Sequence, residues 1–247
     1  MTRTIGILAG KGGVGKTTVA INLACSLGLL NKKVSLVDFN FTTPHLITEL
    51  GIIPSVTLNN LFRGEADIKN ALYPCFNIFI LPSSLNLADL SGFDISNLKS
   101  KIKELLSDFE IVLLDSAPGF GKEALSAMQA SDEIILVVNP TLTSIIDIMK
   151  CKELAMKLGV KPLGIVVNKF RDKDFELRPE EISNLTELPL LAVIKESEDF
   201  LRSEAARKPL VFYKRNKREE FLKLAHRLTG IEYKKPGFLK RLTSEIL

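Results

Sequence analysis

Tryptophan is absent from this 247-residue chain, and cysteine (three), histidine (two) and tyrosine (three) are scarce. Cys25, Cys75 and Cys151 lie far apart with no CxxC pair, which argues against a disulfide framework and against a cysteine metal site. His45 and His226 stand in no His/Asp/Glu ligand pattern, and no serine sits in a G-x-S-x-G turn, so a hydrolase triad has no support. No apolar run approaches the roughly 18 residues of a membrane span. The start shows no cleavable signal pattern, so the expected compartment is the cytosol. What remains is ordinary for a globular protein: 46% hydrophobic and 25% charged residues, with a net charge of +4. That charge is unevenly spread. The segment from Arg202 onward carries +8 and the rest −4, a hint of an acidic partner such as a membrane surface or nucleic acid.

Short β-branched runs alternate with helical periodicity. Strands are expected at Thr4–Ala9, Val34–Asp38, Asn77–Leu81, Glu110–Asp115, Glu133–Val138, Leu163–Asn168 and Leu190–Ile194. Helices are expected at Lys16–Leu30, Leu98–Leu106, Lys122–Ala130, Ser144–Leu158 and Arg218–Leu228. Most of the strands are continuously apolar, as strands buried on both faces are. The alternation implies an α/β fold with a doubly wound, mostly parallel sheet. The expected division is a nucleotide-binding domain over 1–230 and a linker with a short helix over 231–247.

The chemistry is concentrated in Gly10-Lys11-Gly12-Gly13-Val14-Gly15-Lys16-Thr17, a full G-x-x-x-x-G-K-[ST] match between an expected strand and an expected helix. Glycines allow backbone N–H groups to converge on phosphate oxygens, and the helix N-terminus adds partial positive charge. Lys16 can reach the β/γ-phosphates, and the Thr17 hydroxyl can bind Mg²⁺. Thr18 follows at the same helix start. Asp38 and Asp115 end expected strands, where side chains face the ligand crevice and can hold Mg²⁺ through its water shell. Asn168 ends another, placed to pair with a base edge. A dinucleotide oxidoreductase would need G-x-G-x-x-G, which the loop lacks.

The run Lys11-Gly-Gly-Val-Gly-Lys16-Thr-Thr resembles the deviant Walker A loop of the MinD/ParA ATPases. The likeness extends to Asp38, Asp115-Ser-Ala-Pro-Gly119, Asn139-Pro140 and Asn168-Lys169. It implies ATP and Mg²⁺ as cofactors, a homodimer when ATP is bound, and Lys11 reaching across the interface to the partner's nucleotide. It also implies that Asn168 reads adenine. Iron–sulfur carriers share the loop but use cysteine pairs, missing here. Two departures stand out. Asn40 occupies the place of a second aspartate that helps activate the attacking water, so slow turnover or a long-lived ATP dimer is expected. Lys195 stands where a proline is usual in the loop that closes over the base.

The end of the chain, Gly237-Phe238-Leu239-Lys240-Arg241-Leu242, resembles the membrane-targeting tail of MinD-like proteins. Phe238, Leu239, Leu242 and Ile246 fall on one arc of about 100° of a helix, with Lys240 and Arg241 off it. Full burial of the four apolar anchors contributes ~8 kcal/mol and nearby cations ~4 kcal/mol, while ordering ten residues costs on the order of 10–15 kcal/mol. One tail is therefore marginal, and two on one dimer gain avidity. The leading reading is a MinD-like ATPase that positions cellular machinery at the inner face of the cell membrane, with a regulatory or cargo protein unidentified. Nucleic acid is disfavoured, because DNA needs only Lys/Arg and not interleaved Phe/Leu. A ParA-like partitioning ATPase binding DNA non-specifically and a nearly inactive ATP-switched scaffold are the alternatives.

Overall fold

The computed structural model describes residues 2–85 and 98–234. Eight strands form one sheet in the order β3-β4-β2-β5-β1-β6-β7-β8. These are β1 (Arg3–Leu8), β2 (Val34–Phe39), β3 (Tyr73–Cys75), β4 (Ile78–Leu81), β5 (Ile111–Ser116), β6 (Glu133–Val138), β7 (Lys161–Phe170) and β8 (Leu190–Lys195). All neighbours are parallel except β3, which runs antiparallel to β4 at the edge.

The pleat explains the continuous apolar runs. Ile5, Ile7, Ile111, Leu113, Ile135 and Val137 point to one face, into a core shared with α1 (Lys16–Leu29) and α11 (Glu219–Thr229). Their neighbours Leu8, Ile134, Leu136 and Val138 point to the other, against α7 (Leu142–Lys157). Val112 and Leu114 on that face meet Ile102 of α5 (Leu98–Leu105) and Ala127 of α6 (Lys122–Ala130). Burial on both faces leaves no polar alternation. Helix α1 is likewise buried along most of its length, from Val19 to Gly28.

The expected strands and long helices are present, with no boundary moved by more than two residues. Elements that sequence periodicity did not give are short. They include β3, α2 (Leu46–Leu50), α3 (Leu58–Phe62), α4 (Ile68–Ala71), α8 (Pro179–Thr186), α9 (Glu198–Ala205) and α10 (Leu210–Tyr213). Pro74 within β3 is tolerated because the strand is at an edge. The carboxyl ends of β1, β2 and β5 lie side by side and open one crevice. This crevice follows from strand order: β1 leads through α1 to β2, which lies beyond β5 on one side, while the neighbour of β1 on the other side is β6. The expected tail lies outside the described residues. No helix among those described is long and apolar enough to cross a membrane.

Candidate functional site: a phosphate loop over two buried acids

The loop after β1 opens α1 through Gly15, whose φ of 87° is left-handed. A Cβ at Gly10 would lie 2.2 Å from Cβ of Asp147 on α7, so only glycine lets the loop sit this close. The loop lines a cleft of about 270 Å³ with Asn40, Thr43, His45, Glu49 and Pro118. Gly10, the first residue of the motif, packs at the loop's base, while Lys11, Gly12, Gly13, Val14, Gly15, Lys16, Thr17 and Thr18 all border the cleft.

Beneath the cleft, Lys16 Nζ donates to Asp115 Oδ1 at 2.6 Å, with both side chains almost fully buried. Asp38 and Asp115 are register partners on β2 and β5. The Asp38 carboxylate accepts from the backbone N–H of Asn40 at 3.0 Å and of Leu46 at 3.2 Å. Burial, and then the Asp115 charge, push the Asp38 carboxyl above the usual carboxylate range, against the pull of those two N–H groups and Lys16. Two buried carboxyls thus share one ammonium. An all-oxygen set of two carboxyls and the Thr17 hydroxyl, short of positive charge, fits a hard dication such as Mg²⁺. Among the described residues no group of three or more His, Cys, Asp and Glu forms a metal cluster. Such an ion would therefore lean on water and phosphate oxygens.

The remaining expected residues fall into three positions. Lys11 stands at the mouth of the cleft, with Nζ 3.4 Å from Thr143 Oγ1 at the start of α7. Asn168 is buried, and its Nδ2 donates to Val14 O at 2.8 Å. One amide hydrogen is thereby used, which leaves the other and Oδ1 for a base edge. Asn40 borders the cleft, but its side chain braces its own loop. Nδ2 donates to Thr43 O at 2.6 Å, and Oδ1 accepts from Thr43 N and Oγ1. Thr42 of the same loop donates through its hydroxyl to Glu123 on α6. Past the carboxyl ends of β7 and β8, Arg171 and Glu196 form an ion pair.

Sequence reading missed His45 and Glu49. They sit one helical turn apart, with Leu46, Ile47 and Leu50 buried and these two residues bordering the cleft. The apolar spacing of Leu46, Ile47 and Leu50 points the same way, but on a turn too short to stand apart from a loop in sequence. Burial, with Asp115 and Glu204 nearby, pushes the Glu49 carboxyl up to about 8. Both raised acids have a stability consequence. A carboxyl whose folded pKa exceeds its unfolded one keeps its proton in the folded state between the two values. Its contribution is complete below the ordinary carboxylate range and is lost as pH rises through that interval. The ligand-free chain is therefore expected to lose a few kcal/mol of stability between about pH 5 and about pH 8, with Glu49→Gln removing part of the slope. Denaturant unfolding at the two pH values measures this. A slope unchanged by the substitution would exclude Glu49 as a source.

A strand, a glycine loop and a helix N-terminus over two strand-end acids define a P-loop nucleotide-binding protein of the α/β class. Residues 2–158 match the model of an AAA domain family. An uncharacterised ATP-binding protein of Methanocaldococcus jannaschii is 31% identical, covering 98% of this chain and 95% of its own length. The cell division ATPase MinD of Pyrococcus furiosus superposes with a TM-score of 0.88 at 35% identity, covering 93% of this chain and 99% of its own. The septum site-determining protein MinD of Pyrococcus horikoshii, solved with Mg-ADP, gives 0.87 at 34% identity, covering 92% and 96%. The chain belongs to the MinD/ParA family of P-loop ATPases.

Proposed function

We propose that this chain binds Mg-ATP, pairs face to face with a second copy, and attaches to anionic membrane only as the pair. Slow hydrolysis resets it, and the cycle positions cellular machinery through a regulatory or cargo protein. The observation that carries this reading is the contrast between the two loop lysines. Lys16 is buried on Asp115, as a residue serving its own nucleotide would be. Lys11 stands at the rim, where among the described residues it makes one long contact, to Thr143, and can leave at small cost. The Mg-ADP held by the Pyrococcus horikoshii relative supports the cofactors.

In this reading Lys16 exchanges Asp115 for the β/γ-phosphates. Asp115 would then be free to hold, together with Asp38, the water shell of Mg²⁺, with Thr17 beside them. Bound Mg²⁺ would supply charge neutralisation at the phosphates. Asn168 takes the adenine edge. Lys11 crosses to the partner's phosphates. Asn40 offers no carboxylate to take a proton, and its amide holds Thr43, so turnover is slow. The body over 1–230 is the ATPase domain, and 231–247 holds the lipid-binding helix through Phe238, Leu239, Leu242 and Ile246, with Lys240 and Arg241 at the headgroups. The protein is then cytoplasmic and peripheral at the inner membrane face.

The test is co-sedimentation with phosphatidylglycerol vesicles in ADP, in ATP and in a non-hydrolysable analogue, beside phosphate release. Binding is expected with ATP and the analogue only, to fall at least about tenfold on deleting Phe238–Leu247, and phosphate release to be slow. Binding that ignores the nucleotide, or survives the deletion, would reject the switch. Nucleotide-dependent retention on duplex DNA instead of vesicles would favour the partitioning reading.

A further inference from the structure

We infer that Lys169 is a positioning residue that aims the phosphate loop, acting on the phosphates through the loop backbone and not through the base. This rests on the proposed nucleotide site and adds a residue to it. Lys169 Nζ donates to Gly13 O at 2.7 Å, and the preceding Asn168 Nδ2 donates to Val14 O at 2.8 Å. Two consecutive loop carbonyls are thus held by two consecutive residues of β7. In a planar trans peptide the C=O and the following N–H point in opposite directions. Drawing the carbonyls of Gly13 and Val14 toward β7 therefore turns the N–H groups of Val14 and Gly15 the other way. Both residues border the cleft.

Two further observations indicate that the contact is built in. The loop lies flush on the pair: a Cβ at Gly15 would come 2.3 Å from Asn168 Nδ2 and 3.8 Å from Lys169 Cε. Lys169 also adopts a φ of +57°, a left-handed conformation that costs energy for a lysine and persists only where surroundings fix it. In return, its stem turns out of the strand direction and its ammonium reaches the loop. Asn168 on its own would fix one carbonyl and leave the Gly12–Gly13 corner free to rotate, since Gly13 with φ 76° has nothing near its missing Cβ.

The experiment compares Mg-ATP with Mg-tripolyphosphate, a ligand without base or ribose, on the full chain by titration calorimetry. Lys169→Met is expected to weaken both ligands by the same factor, about tenfold, consistent with the loss of a charge-assisted hydrogen bond at a partly exposed site. Lys169→Arg, which keeps a cation within reach of Gly13 O, is expected to restore most of the loss. The melting temperature of the ligand-free variants should stay within a few degrees of wild type. Weakening of ATP alone would place Lys169 at the base and overturn the inference, as would no weakening, or equal weakening by Met and Arg. If Lys169→Met does not fold, Lys169→Gly, which relieves the backbone, takes its place, and failure of both to fold would make the residue a folding element and overturn the role. A wild-type chain that binds neither ligand would instead refute the nucleotide site itself.

Discussion

Lys16→Met is expected to produce two losses at once. Phosphate release should fall by at least about 10²–10³-fold, the scale of removing one group that stabilises developing charge. The ligand-free protein should also lose about 3–5 kcal/mol, because the substitution breaks a buried ion pair and leaves its partner uncompensated. The second effect is specific to this arrangement. Among the described residues Lys16 is the one ammonium paired with Asp115, and Asp38 lies in register beside Asp115, wholly buried. Without the amine, one of the two carboxyls must take up a proton. The destabilisation should therefore shrink as pH falls toward the carboxylate range. Urea unfolding at about pH 5 and about pH 8, beside a phosphate-release assay, reads both effects. An inactive variant as stable as wild type at the higher pH would show that Lys16 does not neutralise the acids in the free protein.

Lys11→Ala should do the opposite: leave the monomer intact and abolish the dimer. Among the described residues its ammonium makes a single 3.4 Å contact at the surface, so the stability change is expected to stay within about 0.5 kcal/mol. Mg-ATP should still bind, because Lys16, Thr17 and the loop N–H groups remain. Dimerisation is expected to weaken by a factor of about 10² or more, the scale of losing a charge buried against phosphate at an interface. Vesicle binding should vanish with it. Equilibrium sedimentation with a non-hydrolysable analogue measures the first and co-sedimentation the second. A variant that dimerises like wild type would remove Lys11 from the interface.

Much of this site was legible from sequence because it rests on backbone rules. The glycine spacing of residues 10–15 needs a strand before it and a helix after it, and both are there. Asp38 and Asp115 stand at the crevice because parallel strands with continuous apolar runs end together. What was not legible depends on contacts between distant segments. The pairing of Lys16 with Asp115 joins residues 99 apart in sequence. The turn of α2 that brings His45 and Glu49 to the cleft is five residues long, too short for periodicity to separate from a loop. In sequence, Asn40 stands out as the replacement of an aspartate that helps activate water. Its amide instead staples Thr43, a choice set by the fold of one tight loop. Helices α8 and α9 did have start signals, Pro179-Glu180-Glu181 and Ser197-Glu198-Asp199. Each is only two turns, and the moderate apolar content of those turns hid them.

Pairing driven by the triphosphate is the claim on which membrane attachment depends. Its most direct measurement is the mass of the full chain in solution, by light scattering, with Mg²⁺ and a saturating non-hydrolysable ATP analogue, against the same sample in ADP. The expected result is twice the single-copy mass with the analogue and a single copy with ADP. A single copy in both, with nucleotide demonstrably bound, would contradict it.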